Sequence, residues 1–175
     1  MDKPPKLISL GPGLTAPERF TYHVELGWGG GEYNIDLEVV FEAGRFVVDR
    51  LIIQRSEFGR PITTEGIREI GVATLLYQAV ELNVTQTAPT GDGGYKATWP
   101  TMPILSERAR TGGGPSEEDL RIIAMVYQVA YATGTPPTKA VMLRAGVPRS
   151  TAGRWIRMAR ERGLLGPATP RKAGG

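Results

Sequence analysis

From Tyr33 to Glu42 apolar and polar side chains take turns: Tyr33, Ile35, Leu37, Val39 and Phe41 alternate with Asn34, Asp36, Glu38, Val40 and Glu42. A period of two predicts a strand with one face in a core. "EAG" at 42–44 supplies a turn in which Gly44 can take a positive φ, and the β-branched run Arg45–Arg55 predicts an antiparallel return strand. Thr21–Gly27 predicts a shorter strand ahead of them. The period then changes. Over 63–82, Ile67, Ile70, Thr74, Tyr77 and Glu81 step along one side, while Val72, Leu75, Leu76, Ala79 and Val80 widen the apolar surface. This predicts one helix, capped by Thr63 or Thr64 with Glu65 in its first turn, and weakened by Gly66 and Gly71 by about 1 kcal/mol each. Two or three strands under a single helix bury little, so this unit is expected to need a second copy or another partner.

From Asn83 to Pro115 the periodicity stops and Pro, Gly and Thr take over, which predicts a linker with one short helical turn at "SERAR". At Ser116 the helical period resumes. Ser116 is a good N-cap, Asp119 sits at the capping-box position, and Leu120, Ile123, Tyr127 and Ala130 form a stripe. Gly134 ends that helix. Thr138 is expected to cap "KAVMLRAG", Gly146 to stop it, and a third helix to run over 149–162. The predicted fold class is α+β: a small antiparallel sheet plus helix in 1–82, a linker over 83–115, an all-α trihelical helix-turn-helix domain over 116–166 and a basic tail at 167–175. A short helix, a glycine turn and a second helix are the parts of a helix-turn-helix. Its inward positions are Val141, Met142, Ala145, Val147, Ala152, Trp155, Ile156 and Ala159.

Composition narrows the chemistry. The chain has 175 residues, no Cys and one His, which removes disulfides, thiolate chemistry and a histidine-held metal. The glycine-rich pieces "GWGGGEY", "TGDGGYK" and "RTGGGP" lack the strand and helix context, or the G-K-[ST] end, of phosphate-binding loops. No catalytic residue, metal site or cofactor is expected. No apolar run is long enough to span a membrane, and "MDKPPKLISLGPGL" lacks the pattern of a secretory signal, so a cytoplasmic protein is expected.

Charge changes the picture more. The net +3 divides into 11 Lys/Arg against 14 Asp/Glu up to Pro115, and 10 against 4 from Ser116 onward. A polyanion would therefore meet one end only. On the third C-terminal helix, Arg149, Ser150, Gly153, Arg154 and Arg157 fall opposite Trp155, with Arg160 a turn further on. Arg149, Ser150, Gly153 and Arg154 are the expected base-contacting residues in a major groove, and Lys139, Arg157, Arg160 and Arg162 the expected phosphate contacts. Arg108 and Arg110 before the domain, and Arg171 and Lys172 after it, are candidate arm and tail contacts.

"PPTKAVMLRAGVPRSTAGRWIRMARERGLLGP" resembles the C-terminal helix-turn-helix segment common in uncharacterised proteins of actinobacteria, their phages and integrated elements. More distantly it resembles the three-helix DNA-binding domains of site-specific invertases and resolvases. The resemblance covers about Ser116–Pro167 and implies DNA binding without implying which process uses the DNA. Pro148 departs from it, standing where Ser or Thr usually caps the recognition helix. The reading is a non-enzymatic protein that binds double-stranded DNA, a transcriptional regulator acting as a homodimer. The alternatives are a phage packaging or recombination accessory subunit and a non-catalytic protein-interaction module.

Overall fold

A computed structural model describes residues 5–26, 32–89, 95–98 and 105–166. Among them the strands are β1 (Leu7–Gly11), β2 (Leu14–Pro17), β3 (Arg19–Leu26), β4 (Tyr33–Glu42), β5 (Arg45–Arg55), β6 (Thr85–Pro89) and β7 (Tyr95–Thr98). The helices are α1 (Thr64–Glu69), α2 (Val72–Asn83), α3 (Glu107–Arg110), α4 (Glu117–Ala132), α5 (Pro137–Ala145) and α6 (Arg149–Glu161). The fold is mixed α+β, with every strand pairing antiparallel.

The alternating segment forms the centre of one sheet, in the order β3-β4-β5. Tyr33, Ile35, Leu37 and Val39 are buried, and Ala43 and Gly44 both take positive φ, 49° and 82°, in the tight hairpin turn. Alternation fails at the hairpin end. Glu38 faces Arg50 but Val39 faces Val48, leaving Asp49 as an extra residue in a β-bulge. Beyond it Val40 is buried and Phe41 only half-buried, its ring edge-on to Phe46 at 5.0 Å.

The segment expected as a linker, 83–115, is not one. It contributes β6 and β7 to a second sheet ordered β1-β2-β6-β7, and it contains α3. Leu14 and Thr15 of β2 face Gln86 and Thr85 of β6, pairing strands far apart in sequence. The glycine-rich pieces at 27–31 and 90–94 lie outside the described residues. "RTGGGP" is an ordered turn: Arg108 Nε donates to Gly113 O at 2.9 Å, and Gly112 and Gly114 take positive φ.

The helix expected over 63–82 is two helices. Thr63 caps α1 through its hydroxyl, but Ile70 turns extended and buries its side chain, and Gly71 starts α2 afresh. The break places Leu75, Leu76, Ala79 and Val80 of α2 against Ile35, Leu37 and Val39 of the sheet, with Leu14 and Ala16 of β2 in the same core.

A boundary at 115/116 does not separate two cores. Met125, Val129 and Ala132 of α4 belong to the core just described, while Leu120, Ile122, Ile123, Ala124 and Val126 belong to a second one with α3, α5 and α6. A helix apolar on almost every side must be covered on every side. Gln128 extends the connection. Its side chain lies against Gly11, whose φ of 150° and lack of Cβ leave it room, and its amide donates to Leu164 O at 3.4 Å.

Around α4 the two shorter helices close the second core with Val141, Ala145, Ala152, Trp155, Ile156 and Ala159 buried, and Met142 and Val147 partly so. Gly146 makes the turn between them in the left-handed region, φ 63° and ψ 31°. Thr138 does not cap α5. Pro136 is the N-cap and Pro137 the first helical residue, the position where proline's missing N–H costs least.

Candidate nucleic-acid interface

Burying Trp155, Ile156, Ala152 and Ala159 on one side of α6 fixes what the other side shows. Arg149, Ser150, Gly153, Arg154 and Arg157 are all exposed there, as is Arg162 just past the helix end. None of these arginines has an ion pair or hydrogen bond with a described residue. Some other exposed arginines are paired, while Arg45, Arg55 and Arg68 are exposed with no ion pair or hydrogen bond to a described residue and are scattered along the N-terminal part. Arg19 bonds Asp49 at 2.9 Å, Arg60 bonds Glu32, and Arg121 bonds Glu117 and Glu118 at 2.7 and 3.1 Å. Those three charges are locally compensated, whereas α6 gathers Arg149, Arg154 and Arg157 unpaired on one helix face.

Helix ends add to the field. α4 begins with the complete Ser116–Asp119 capping box and three acidic residues. α5 and α6 begin at Pro136 and Pro148 with no side-chain cap and no acidic residue in the first turn. Their N-terminal dipoles are left positive, on the side of the molecule that carries the unpaired cations.

Not every residue expected at this surface is free for it. Arg160 is half-buried. Its Nε donates to Gly166 O at 3.2 Å, its Nη2 reaches Tyr127 Oη at 3.5 Å, and its guanidinium lies 5.6 Å from the Tyr127 ring centroid. It fastens the end of α6 to α4. Arg108 is tied to its own turn. Arg110 closes α3 and its side chain lies outside the described set, as do Arg171 and Lys172. Lys139, exposed in the first turn of α5, lines a cavity of about 680 Å³ together with Arg149.

Two features escaped the sequence reading. Arg45, from the tip of the β4–β5 hairpin, lines that same cavity. Arg144 of α5 points inward instead of joining the basic face. Its guanidinium lies 3.3 Å from the carboxylate of Glu81 on α2, and Glu81 is only 5% exposed. Burial pushes the Glu81 carboxyl upward, and Arg144 opposes that only in part. An acidic residue on the apolar side of 63–82 was the available signal, but its partner lies in a different helix.

Among the described residues no group of His, Asp or Glu is placed to hold a metal, and no helix is long and apolar enough to cross a membrane. The structure is a mixed α+β chain whose helical end presents an uncompensated cationic face. The chain belongs to a family of unknown function, DUF6214, matched over residues 68–173. The match starts within α1 and runs through the expected linker, so the family's unit includes α2 and the second sheet's β6 and β7 as well as the last three helices. Comparison with curated proteins and with solved structures gives no match.

Proposed function

We propose that the chain is a DNA-binding protein, a transcriptional regulator, in which α5, the Gly146 turn and α6 act as a helix-turn-helix. One observation carries the reading: the unpaired cationic face of α6, set opposite a buried Trp155 on a helix with no acidic residue in its first turn. On this reading α6 enters the major groove with Arg149, Ser150, Gly153 and Arg154 at base edges, arginine suiting the O6 and N7 of guanine. Arg157, Arg162 and Lys139 meet phosphates. Arg160 is left out of the contact set, its donors being engaged within the fold. Pairing of two copies would supply the second half-site that a single trihelical unit needs for tight binding.

The test is selection from a pool of random duplexes at two salt concentrations, followed by affinity measurements on variants. Arg154→Ala is expected to cost about 1–3 kcal/mol on the selected site and to relax the preference at one position. Arg157→Ala is expected to weaken all duplexes alike and to flatten the salt dependence. If both variants bind as wild type does, the basic face is a solvated surface, and the helices serve as a protein-interaction module.

Gly153 offers an independent check. It is exposed in mid-helix, and a Cβ there would meet nothing within 4 Å. Gly153→Ala should therefore raise stability by about 1 kcal/mol in urea denaturation. DNA affinity should nonetheless fall, because the methyl group stands where the duplex approaches the backbone. An alanine that stabilises the helix and leaves affinity intact would show that α6 does not lie close to DNA at this point.

A further inference from the structure

The cavity of about 680 Å³ at the start of α5 is walled by α4, its turn into α5, α5 and the start of α6, together with the β4–β5 hairpin from far earlier in the sequence. The β4–β5 hairpin gives Arg45, α5 gives Lys139 and Met142, and α6 gives Arg149, with Tyr131 of α4 at the rim. Arg45 Nη1 lies 3.7 Å from where a Cβ on Gly134 would stand, so its guanidinium reaches over the α4–α5 turn. Neither Arg45, Lys139 nor Arg149 has an ion pair or hydrogen bond with a described residue. Glu42, opposite Arg45 in the hairpin register, is no exception. Among the described residues no acidic side chain lines the cavity.

Three like charges around one concavity repel one another unless an anion lies between them. Concave surfaces of one sign also focus the field they create. We propose that this cavity is a phosphate-binding site, and that the N-terminal sheet, through Arg45, is part of it. The ligand chemistry is a phosphodiester or phosphomonoester, for which two arginines and a lysine are a fitting donor set. The volume exceeds what a single inorganic phosphate fills and suits a short run of sugar-phosphate. Arg149 belongs both to this cavity and to the exposed face of α6. A duplex on α6 would therefore lay its backbone across the cavity. In that form the inference rests on the DNA-binding reading and deepens it: the sheet grips the backbone beside the groove that α6 reads. Arg45 lies ahead of residues 68–173, so this grip would be added to the family's shared unit by the sheet that precedes it.

The experiment compares wild type with Arg45→Gln, and with Arg50→Gln as a control on the same hairpin, since Arg50 is already paired with Glu38. Affinity for random duplex is read by fluorescence anisotropy from about 50 to 200 mM salt. In parallel, inorganic pyrophosphate and a nucleoside triphosphate are titrated by calorimetry without DNA. Arg45→Gln should lower duplex affinity several-fold and reduce the log–log salt slope by about 1, so that its fall across this salt range is about four-fold smaller than wild type's. Arg50→Gln should do neither. If wild type binds duplex and Arg45→Gln changes neither affinity nor slope, the cavity is not a phosphate site for DNA, while the role of α6 stands. If wild type binds no duplex but binds pyrophosphate or the triphosphate in an Arg45-dependent way, the phosphate is a free one and the DNA reading falls alone. Binding of neither, or free-phosphate binding indifferent to Arg45, overturns the proposal.

Discussion

Asp119→Ala is expected to lower the unfolding free energy by about 3 kcal/mol, through loss of charge-assisted hydrogen bonds and exposure of the donors they satisfied. The carboxylate accepts from Ser116 N at 2.8 Å, Ser116 Oγ at 2.7 Å, Ser106 N at 2.6 Å and Ser106 Oγ at 2.6 Å. Ser116 is the N-cap of α4 and Ser106 the N-cap of α3, so one side chain holds the starts of two helices. Asp119 itself is 1% exposed. Burial alone would raise its pKa, but the bonds from Ser106 and Ser116 outweigh burial and hold it at about 2 against an ordinary 3.8. A depressed carboxylate stabilises the fold above its unfolded pKa, and that contribution disappears as pH falls through the folded value. The window here runs from about 4 down to 2, and the shift corresponds to about 2 kcal/mol. Urea denaturation at pH 7, 4 and 2.5 checks both points. Asp119→Asn keeps one acceptor oxygen, replaces the other by an NH2 donor and carries no charge, so it should lose less than the alanine variant and remove this acid-dependent step. An Asp119→Ala protein as stable as wild type would show that the double cap adds nothing to α4.

The capping box was legible because its two partners stand three residues apart, within one turn of the helix they start. Ser106 was not, since its bond to Asp119 closes a loop of glycines whose path no local pattern specifies. The same division runs through the whole molecule. The β4–β5 hairpin could be read from its alternation and Gly44, and the inward stripe of α6 from Ala152, Trp155, Ile156 and Ala159. The second sheet could not. Its strands are four or five residues long, rich in Thr, Pro and Gly, and β2 meets β6 across most of the N-terminal half. Strand pairing of that kind is set by what the neighbouring core leaves uncovered, and a single short segment does not record it. The missed break at Ile70 has a related origin: periodicity continues through it, and the weakness of Gly71 in a helix is decided there by burial of Ile70 in the sheet's core. At the candidate site, the face of α6 was readable because one helix builds it. Arg45 and the inward turn of Arg144 depend on tertiary contacts, and nothing near either residue in sequence announces them.

Arg144→Met is expected to destabilise the protein at neutral pH by about 3 kcal/mol, the cost of leaving one member of a buried ion pair alone. Glu81 and Arg144 join α2, on the first core, to α5, on the second. Glu81 Oε1 and Arg144 Nη2 are both buried and neither makes a hydrogen bond of good geometry, so their attraction across 3.3 Å is largely charge on charge. The raised Glu81 pKa means that its ionised form already costs the folded state something. That cost is absent below the unfolded pKa, grows as pH rises toward the folded value, and is full above it. Removing the arginine should raise the Glu81 pKa further. The variant should thus recover stability on mild acidification, at pH values where the Asp119 bonds are still intact. Tyr77, whose hydroxyl is pushed up by burial and then by Glu81, stays neutral throughout and does not obscure the titration. Glu81→Leu combined with Arg144→Met removes both charges and should return stability to near the wild-type value or above it. If the double variant is as damaged as the single one, the loss does not come from a charge left alone, and the electrostatic account of the pair fails. If it recovers stability while the exchange of α5 amides with solvent stays fast, the ion pair is there to fix where α5 sits, and with it the direction in which α6 presents its arginines.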